Sequence, residues 1–264
     1  MSSLEEIEFM DMQSMEYSRV EREDINLCRR EAESLTVVIG AACSDGIVMI
    51  ADKKLTNTIG GMDEIPGIKI HGDLEHILMG YTGAVKMFDI FRKNVVGDVI
   101  TTRDFVERYK YANVVRTMST LIKEFNESIG RQHSVFEMLI GKHIGRYSEL
   151  HYIDTAGKST KLDYKAIGIG KCIADMFCKK LIESIQGRPK IEEFVKAAYV
   201  AITYMERFCV GMGVGIGEDI PKIKYLYYNQ PTDYEEIPSV FAEECKNHAN
   251  DELRKMTEAF EALK

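Results

Sequence analysis

Leu35-Thr-Val-Val-Ile-Gly-Ala-Ala-Cys43, Ser44-Asp45-Gly46 and Ile47-Val-Met-Ile-Ala-Asp52-Lys53-Lys54 follow one another without a break. Two runs of β-branched and apolar residues joined by an Asp-Gly pair predict a β-hairpin. The second run closes on Asp52, a carboxylate at the end of an apolar strand, where burial demands hydrogen bonds or a cationic partner. Lys69 is the candidate partner, in the short predicted strand Ile68-Lys69-Ile70 that follows a loop containing glycine and proline. His76-Ile-Leu-Met-Gly80-Tyr-Thr-Gly83 then predicts a strand ending in a glycine turn that runs into a helix. Glycine at such a turn lets the backbone approach a substrate and aim an N–H at it.

Beyond Gly83 the apolar period becomes helical. Met87, Phe88, Ile90 and Phe91 share a stripe over residues 86–96, and Phe105, Tyr109, Val114, Met118, Leu121, Ile122 and Phe125 share another over residues 102–128. Stripes of this kind are core far more often than ligand boxes. Strand periods return over residues 135–141, 150–153 and 164–169, with a turn at Ala156-Gly157. A second helix pair is predicted over residues 171–185 and 191–208, and residues 214–217 and 223–228 return to the sheet. Residues 240–263 read as a charged helix with Phe241, Cys245, Leu253, Met256 and Phe260 on a broken apolar stripe, packing on its own domain or on a neighbour. Residues 1–33 are rich in Glu, Met, Ser and Arg and have little capacity for a core of their own. The division expected is an amino-terminal pro-segment or extension over 1–35, one domain over 36–230, and a helical tail over 231–264.

Composition narrows the function classes. The chain has 264 residues, 45% hydrophobic and 29% charged, enough for one large core. Its net charge of −8 disfavours nucleic-acid binding. Six cysteines (Cys28, Cys43, Cys172, Cys178, Cys209, Cys245) form no CxxC pair, and the six histidines include no HExxH helix, so no metal site and no cofactor is expected. Cysteines without paired spacing fit a reducing cytosol, and no apolar run approaches the roughly 20 residues of a membrane span. A soluble cytoplasmic protein is expected.

Thr36, Asp52, Lys69 and Gly83, in that order and at that spacing, resemble the proteasome-type branch of the N-terminal-nucleophile hydrolases, as a divergent β-type subunit of archaeal type. In that family a nucleophilic Thr starts the first strand, a hairpin around Asp-Gly follows, and an Ala-Asp pair lies sixteen residues beyond the nucleophile. Asp52 lies sixteen residues beyond Thr36. Lys69 falls one residue later than the family spacing, an insertion that the loop over residues 57–67 absorbs. Gly83 matches the glycine that opens the first helix and supplies an oxyanion N–H. Tyr164-Lys-Ala-Ile-Gly168-Ile169-Gly170 is similar to the second glycine-rich turn, with Ile169 where a Ser is usual. Glu206-Arg-Phe-Cys209 aligns with an Asp-x-x-Ser element that supports the nucleophile. The resemblance spans residues 36–228 and is most specific at its amino end. It implies an α+β fold, a four-layer αββα sandwich of two antiparallel sheets between helix pairs.

The resemblance also implies a chemistry. A Thr hydroxyl is a weak nucleophile until a base takes its proton, and in this class the base is the α-amine of the same residue. An α-amine has a pKa of roughly 7.7 to 8.0, so it accepts the proton and returns it to the leaving amine. Lys69 would raise the local positive potential, Asp52 would fix the lysine, and Gly83 N–H would receive the oxyanion. Thirty-five residues precede Thr36, so the base exists only after cleavage of the Leu35-Thr36 bond. Leu35 stands where active members carry Gly.

Each residue also has a plain structural reading. Thr36 is a β-branched strand starter, Asp52 a strand-end acid, Lys69 an edge charge, Gly83 a turn glycine, and Glu206 with Cys209 a solvated acid beside a buried thiol. Three functions stay open: a threonine-type endopeptidase made as a precursor, a non-catalytic structural or assembly subunit that keeps its extension, and a dedicated amidase or peptide ligase. The expected partners are a peptide or protein substrate and other copies or related subunits in a ring, without nucleic acid or membrane.

Overall fold

β-Branched and apolar residues fill the first two strands, β1 (Val37–Ala42) and β2 (Gly46–Ala51), so completely that every side chain of both is buried. A strand buried on both faces has to lie inside a stack of layers, and the remaining elements supply them. The computed structural model describes residues 37–52, 54–57, 63–66, 70–74, 77–83, 88, 106–129, 136–144, 147–209, 222–227 and 235–262. The other strands are β3 (Lys54–Asn57), β4 (Asp63–Pro66), β5 (Ile70–Leu74), β6 (Ile77–Thr82), β7 (Glu137–Ile144), β8 (Tyr147–Ile153), β9 (Ser159–Leu162), β10 (Tyr164–Gly168), β11 (Lys222–Tyr227) and β12 (Glu235–Glu236). They form two five-stranded antiparallel sheets, β10-β1-β2-β11-β12 and β5-β6-β7-β8-β9, with β3 and β4 as a separate hairpin.

Alternation along the strands sorts the core into three layers. Val38, Ala42, Ile47, Met49, Ala51 and Ile167 of the first sheet meet Leu78, Leu139 and Leu150 of the second. Gly141 brings the sheets close, because a Cβ there would lie 2.6 Å from Ile47 Cδ1. On the outer face of the second sheet, Met79, Tyr81, Met138, Ile140 and Ile153 pack under α1 (Val106–Ile129) through Val114, Met118, Leu121, Ile122 and Phe125. Phe88 is helical and buried in the same layer; the remainder of the predicted helix over 86–96 lies outside the described residues. Asn126 fastens α1 to this sheet, donating to the Phe136 and Thr155 carbonyls at 3.0 and 2.8 Å and accepting from Phe136 N–H at 2.9 Å.

On the outer face of the first sheet, Val37, Ile39, Ala41, Val48 and Ile50 meet the second helix layer. Its first helix, α2, covers residues 171–184 as Lys171–Ala174 and Lys180–Ser184 joined through a π-helical stretch, Asp175–Lys179. The second, α3 (Ile191–Phe208), presents Phe194, Val195, Ala198, Ala201, Ile202 and Met205 to the core. Its start is fixed from the hairpin: Asp45 Oδ1 accepts from Ile191 N–H at 2.9 Å, and Ser44 N–H donates to the Pro189 carbonyl at 2.9 Å. Glu193 turns back to accept from Lys190 N–H, closing the first turn.

The fold is therefore α+β with layers α, β, β, α, as the resemblance implies. The last helix, α4 (Ser239–Glu261), lies on α3, with Cys245, Ala249 and Leu253 in the same core and Arg207 donating to Asn250. Of the two options its stripe left open, the structure places it on its own chain. The strand expected over 214–217 lies outside the described residues.

Candidate functional site

β1 and β2 are antiparallel with Val38 opposite Ala51, so one step further Val37 comes opposite Asp52. Asp52 is fully buried, and its Oδ1 accepts from Val37 N–H at 3.0 Å while its own N–H reaches the Val37 carbonyl at 3.4 Å. The carboxylate thus closes the ladder where the strand ends, and it holds the amide that links position 36 to position 37. A buried acceptor in such a place is expensive to remove. Asp52→Ala is expected to cost about 1–3 kcal/mol, because Val37 N–H is left buried without an acceptor. Asp52→Asn keeps an oxygen there and is expected to cost less, which denaturant melts of the two variants compare directly.

The other side of β1 is closed by β10. Val37 pairs with Gly168, whose φ of 87° admits a glycine far more readily than any side chain. Gly170 follows at the start of α2, and a Cβ there would lie 2.3 Å from Met205 Sδ and 3.1 Å from Val37 Cβ. Both glycines let the chain pass close to the first residue of β1. Ile169 between them is 45% exposed, an apolar side chain turned to solvent beside the site. Through Met205, the last turns of α3 reach the same spot. Glu206, partly buried, follows Met205, and Cys209 ends the helix with its N–H on the Met205 carbonyl at 3.0 Å.

Gly83 ends β6 of the second sheet with a φ of 111°, again a glycine-favouring backbone, and it is buried. β6 faces β1 and β2 across the inter-sheet layer. Of the six residues singled out from the sequence, Asp52 borders the start of β1 directly, Glu206 and Cys209 follow Met205, which reaches it at the end of α3, and Gly83 lies at the end of a strand of the facing sheet. Thr36 and Lys69 lie outside the described residues, as does Leu35.

Two residues at this end of the sheet were not singled out from the sequence. Thr82, the neighbour of Gly83, and Glu137, paired with it across β6 and β7, are both buried polar side chains. The signal for Glu137 was available: an acid inside Phe136-Glu-Met-Leu-Ile, an otherwise apolar run.

A concavity lies elsewhere. A cleft of about 380 Å³ between the start of α3, β11 and α4 is lined by Ile191, Val195, Tyr225, Pro238 and Phe241 among others, and by none of the site residues. Among the described residues no cluster of His, Cys, Asp or Glu has the makings of a metal site, and no helix is long and apolar enough to cross a membrane.

Comparison with known families gives one match: a family model described as "Proteasome subunit" covers residues 34–211. No curated protein gives a significant match. The matched stretch begins two residues before Thr36 and ends just beyond Cys209, so it takes in the whole site just described.

Proposed function

As the chain belongs to the proteasome subunit family, we propose that it is a β-type threonine endopeptidase, made as a precursor and activated by cleavage of the Leu35-Thr36 bond. Family membership carries with it assembly with proteasome-like subunits. In this reading the Thr36 hydroxyl attacks the carbonyl carbon of a bound peptide and its proton passes to the Thr36 α-amine. The tetrahedral oxyanion rests on Gly83 N–H. Collapse expels the amine half of the substrate, which takes the proton from the α-amine, and leaves an ester on Thr36. Water, deprotonated by the same amine, then releases the acid half. Lys69 keeps the amine's pKa low enough for it to act as a base, and Asp52 orients both the lysine and the Thr36-Val37 peptide.

The observation that carries the reading is the bond from Val37 N–H to Asp52 Oδ1. It ties the residue following the nucleophile to a fully buried carboxylate, and a nucleophile has to be held to within about 0.5 Å to be effective. Glu206 and Cys209 take the supporting place of the family's acid and hydroxyl at the end of α3.

Ile169 and Leu35 favour a second reading, a non-catalytic subunit that retains its extension, because an exposed isoleucine replaces a Ser beside the site and a bulky residue precedes Thr36. The intact mass of the protein purified from its own cells separates the two. A species beginning at Thr36 is expected; a chain that keeps residues 1–35 after assembly favours the structural subunit and overturns the peptidase.

A further inference from the structure

β10 ends at Gly168 and α2 begins at Lys171, so the chain turns from strand to helix through Gly168-Ile169-Gly170. This turn lies against the first residue of β1. Gly168 pairs with Val37, and a Cβ on Gly170 would come within 3.1 Å of Val37 Cβ, so the position of the turn bears on the start of β1. Glycine on both sides of Ile169 makes the turn a soft hinge. Ile169 itself is exposed, and α2 has no side-chain cap at Gly170.

One side-chain bond spans the hinge. Tyr164, the first residue of β10, donates its hydroxyl to Asp175 Oδ1 at 2.8 Å, which clasps the strand before the turn to the helix after it. The Tyr164 ring is held from α3 by Phe194, with centroids 5.9 Å apart and planes at 61°. Burial, together with Cys178 and Asp175, pushes the Tyr164 hydroxyl up, so it stays a donor across the physiological range. Asp175 is also where α2 widens into its π-helical stretch. A π turn holds a residue that an α turn does not need, so the short stretch before it, Lys171–Ala174, has slack to shift along the helix. The clasp sits at the joint where that slack begins.

We propose that Tyr164 and Asp175 are positioning residues: their hydrogen bond holds the Gly168-Gly170 hinge against Val37 and so keeps the residue before Val37 at the geometry that attack requires. This rests on the peptidase reading above. A reacting group misplaced by about 1 Å loses up to roughly 100-fold in rate. Neither side chain is given a contact with substrate, so the loss falls on kcat and spares KM.

The test uses the full-length gene product purified from its own cells, unaltered and as Tyr164→Phe, Asp175→Ala, Asp175→Asn and the double variant of Tyr164→Phe with Asp175→Ala. Amide hydrogen exchange is followed along the chain, and kcat and KM are measured for one fluorogenic peptide. The amides of Ile173 and Ala174, which donate to the Gly170 carbonyl at 3.1 and 3.0 Å, report on the hinge. In Tyr164→Phe their exchange should quicken by roughly 10- to 100-fold, the range of a hydrogen bond to a charged group, while the amides of β2 keep their rates. The same variant should lose about tenfold or more in kcat, with KM within about twofold. Because both residues act through one bond, the double variant should be no worse than either single one, and Asp175→Asn, which keeps an acceptor oxygen, should recover most of kcat.

Unchanged exchange at Ile173 and Ala174, an equal rise throughout β2, or additive losses in the double variant overturns the clasp and leaves the peptidase standing. Faster local exchange with an unchanged kcat overturns the positioning role. No turnover of any peptide by the unaltered protein overturns the peptidase and the positioning role together. Tyr164→Phe removes a single oxygen, and it decides the matter even if Asp175→Ala does not fold.

Discussion

Thr36→Ala should yield a folded protein that keeps its first thirty-five residues and whose peptide turnover is lower by roughly three orders of magnitude or more. The size follows from the role. Without the hydroxyl no bond forms to the substrate carbonyl, and the Leu35-Thr36 bond has no internal nucleophile, so the α-amine base is never released. Stability should change little, about 0.5 kcal/mol, because β1 begins at Val37 and its first residue is held by Asp52 and Gly168. Thr36→Ser separates the hydroxyl from the methyl and should retain processing. The checks are the intact mass, turnover of a fluorogenic peptide and a denaturant melt of the three proteins. Normal turnover by the alanine variant would sink Thr36 as nucleophile; a shared loss of stability would show instead that its part is structural.

Gly157→Ala should be a severely damaging single-methyl change, at about 3 kcal/mol or more. Two penalties add. Its φ of 74° is left-handed, which costs a residue with a Cβ about 1–2 kcal/mol. The new Cβ would also lie 2.3 Å from the Ser119 carbonyl oxygen and 2.7 Å from Lys123 Cβ, both on α1. A backbone carbonyl in the middle of a helix cannot step aside as a side chain does, so α1 would have to lift from the sheet that it covers. Gly187→Ala is the control. Its φ is 108°, but nothing lies within 4 Å of the added carbon, so it carries the backbone strain without the collision. Urea midpoints of the two variants at constant slope measure the difference; equal midpoints would mean that the turn at Gly157 moves freely against α1.

The elements that could be read from sequence are those whose local signals and burial agree. The Asp45-Gly46 turn sits between two strands that are buried on both faces, and α3 begins and ends at the residues its apolar period marks. β9 was missed because Ser159-Thr-Lys-Leu162 is an edge strand with two of its four side chains exposed; it carries no alternation, and pairing with β8 alone makes it a strand. The π-helical turn in α2 was equally invisible, since its residues are ordinary helix formers and one extra residue in the helix leaves no mark on composition. At the site, Asp52 stood out as a charge ending an apolar run. Glu137, at the start of β7, was the same kind of signal, but with no spacing rule to attach it to, it passed as part of an apolar strand. The loop over residues 57–67 carried no strand signal, yet β4 lies within it and pairs with β3 just before it, held by cross-strand pairing that the mixed sequence does not announce.

The tie between the first hairpin and α3 has a consequence for the order in which the chain is made. Asp45 and Ile191 are 146 residues apart, and the first residue of β1 is enclosed only when Gly168, Gly170 and Met205 arrive. A ribosome delivers β1 and β2 early and the far end of α3 late. Until then Val37 lacks one of its neighbouring strands and the helix above it, and such distant contacts are the slow ones to form. The surroundings of Val37 are thus complete only once nearly the whole domain has emerged, which makes the fold itself the clock for the proposed cleavage one residue before it.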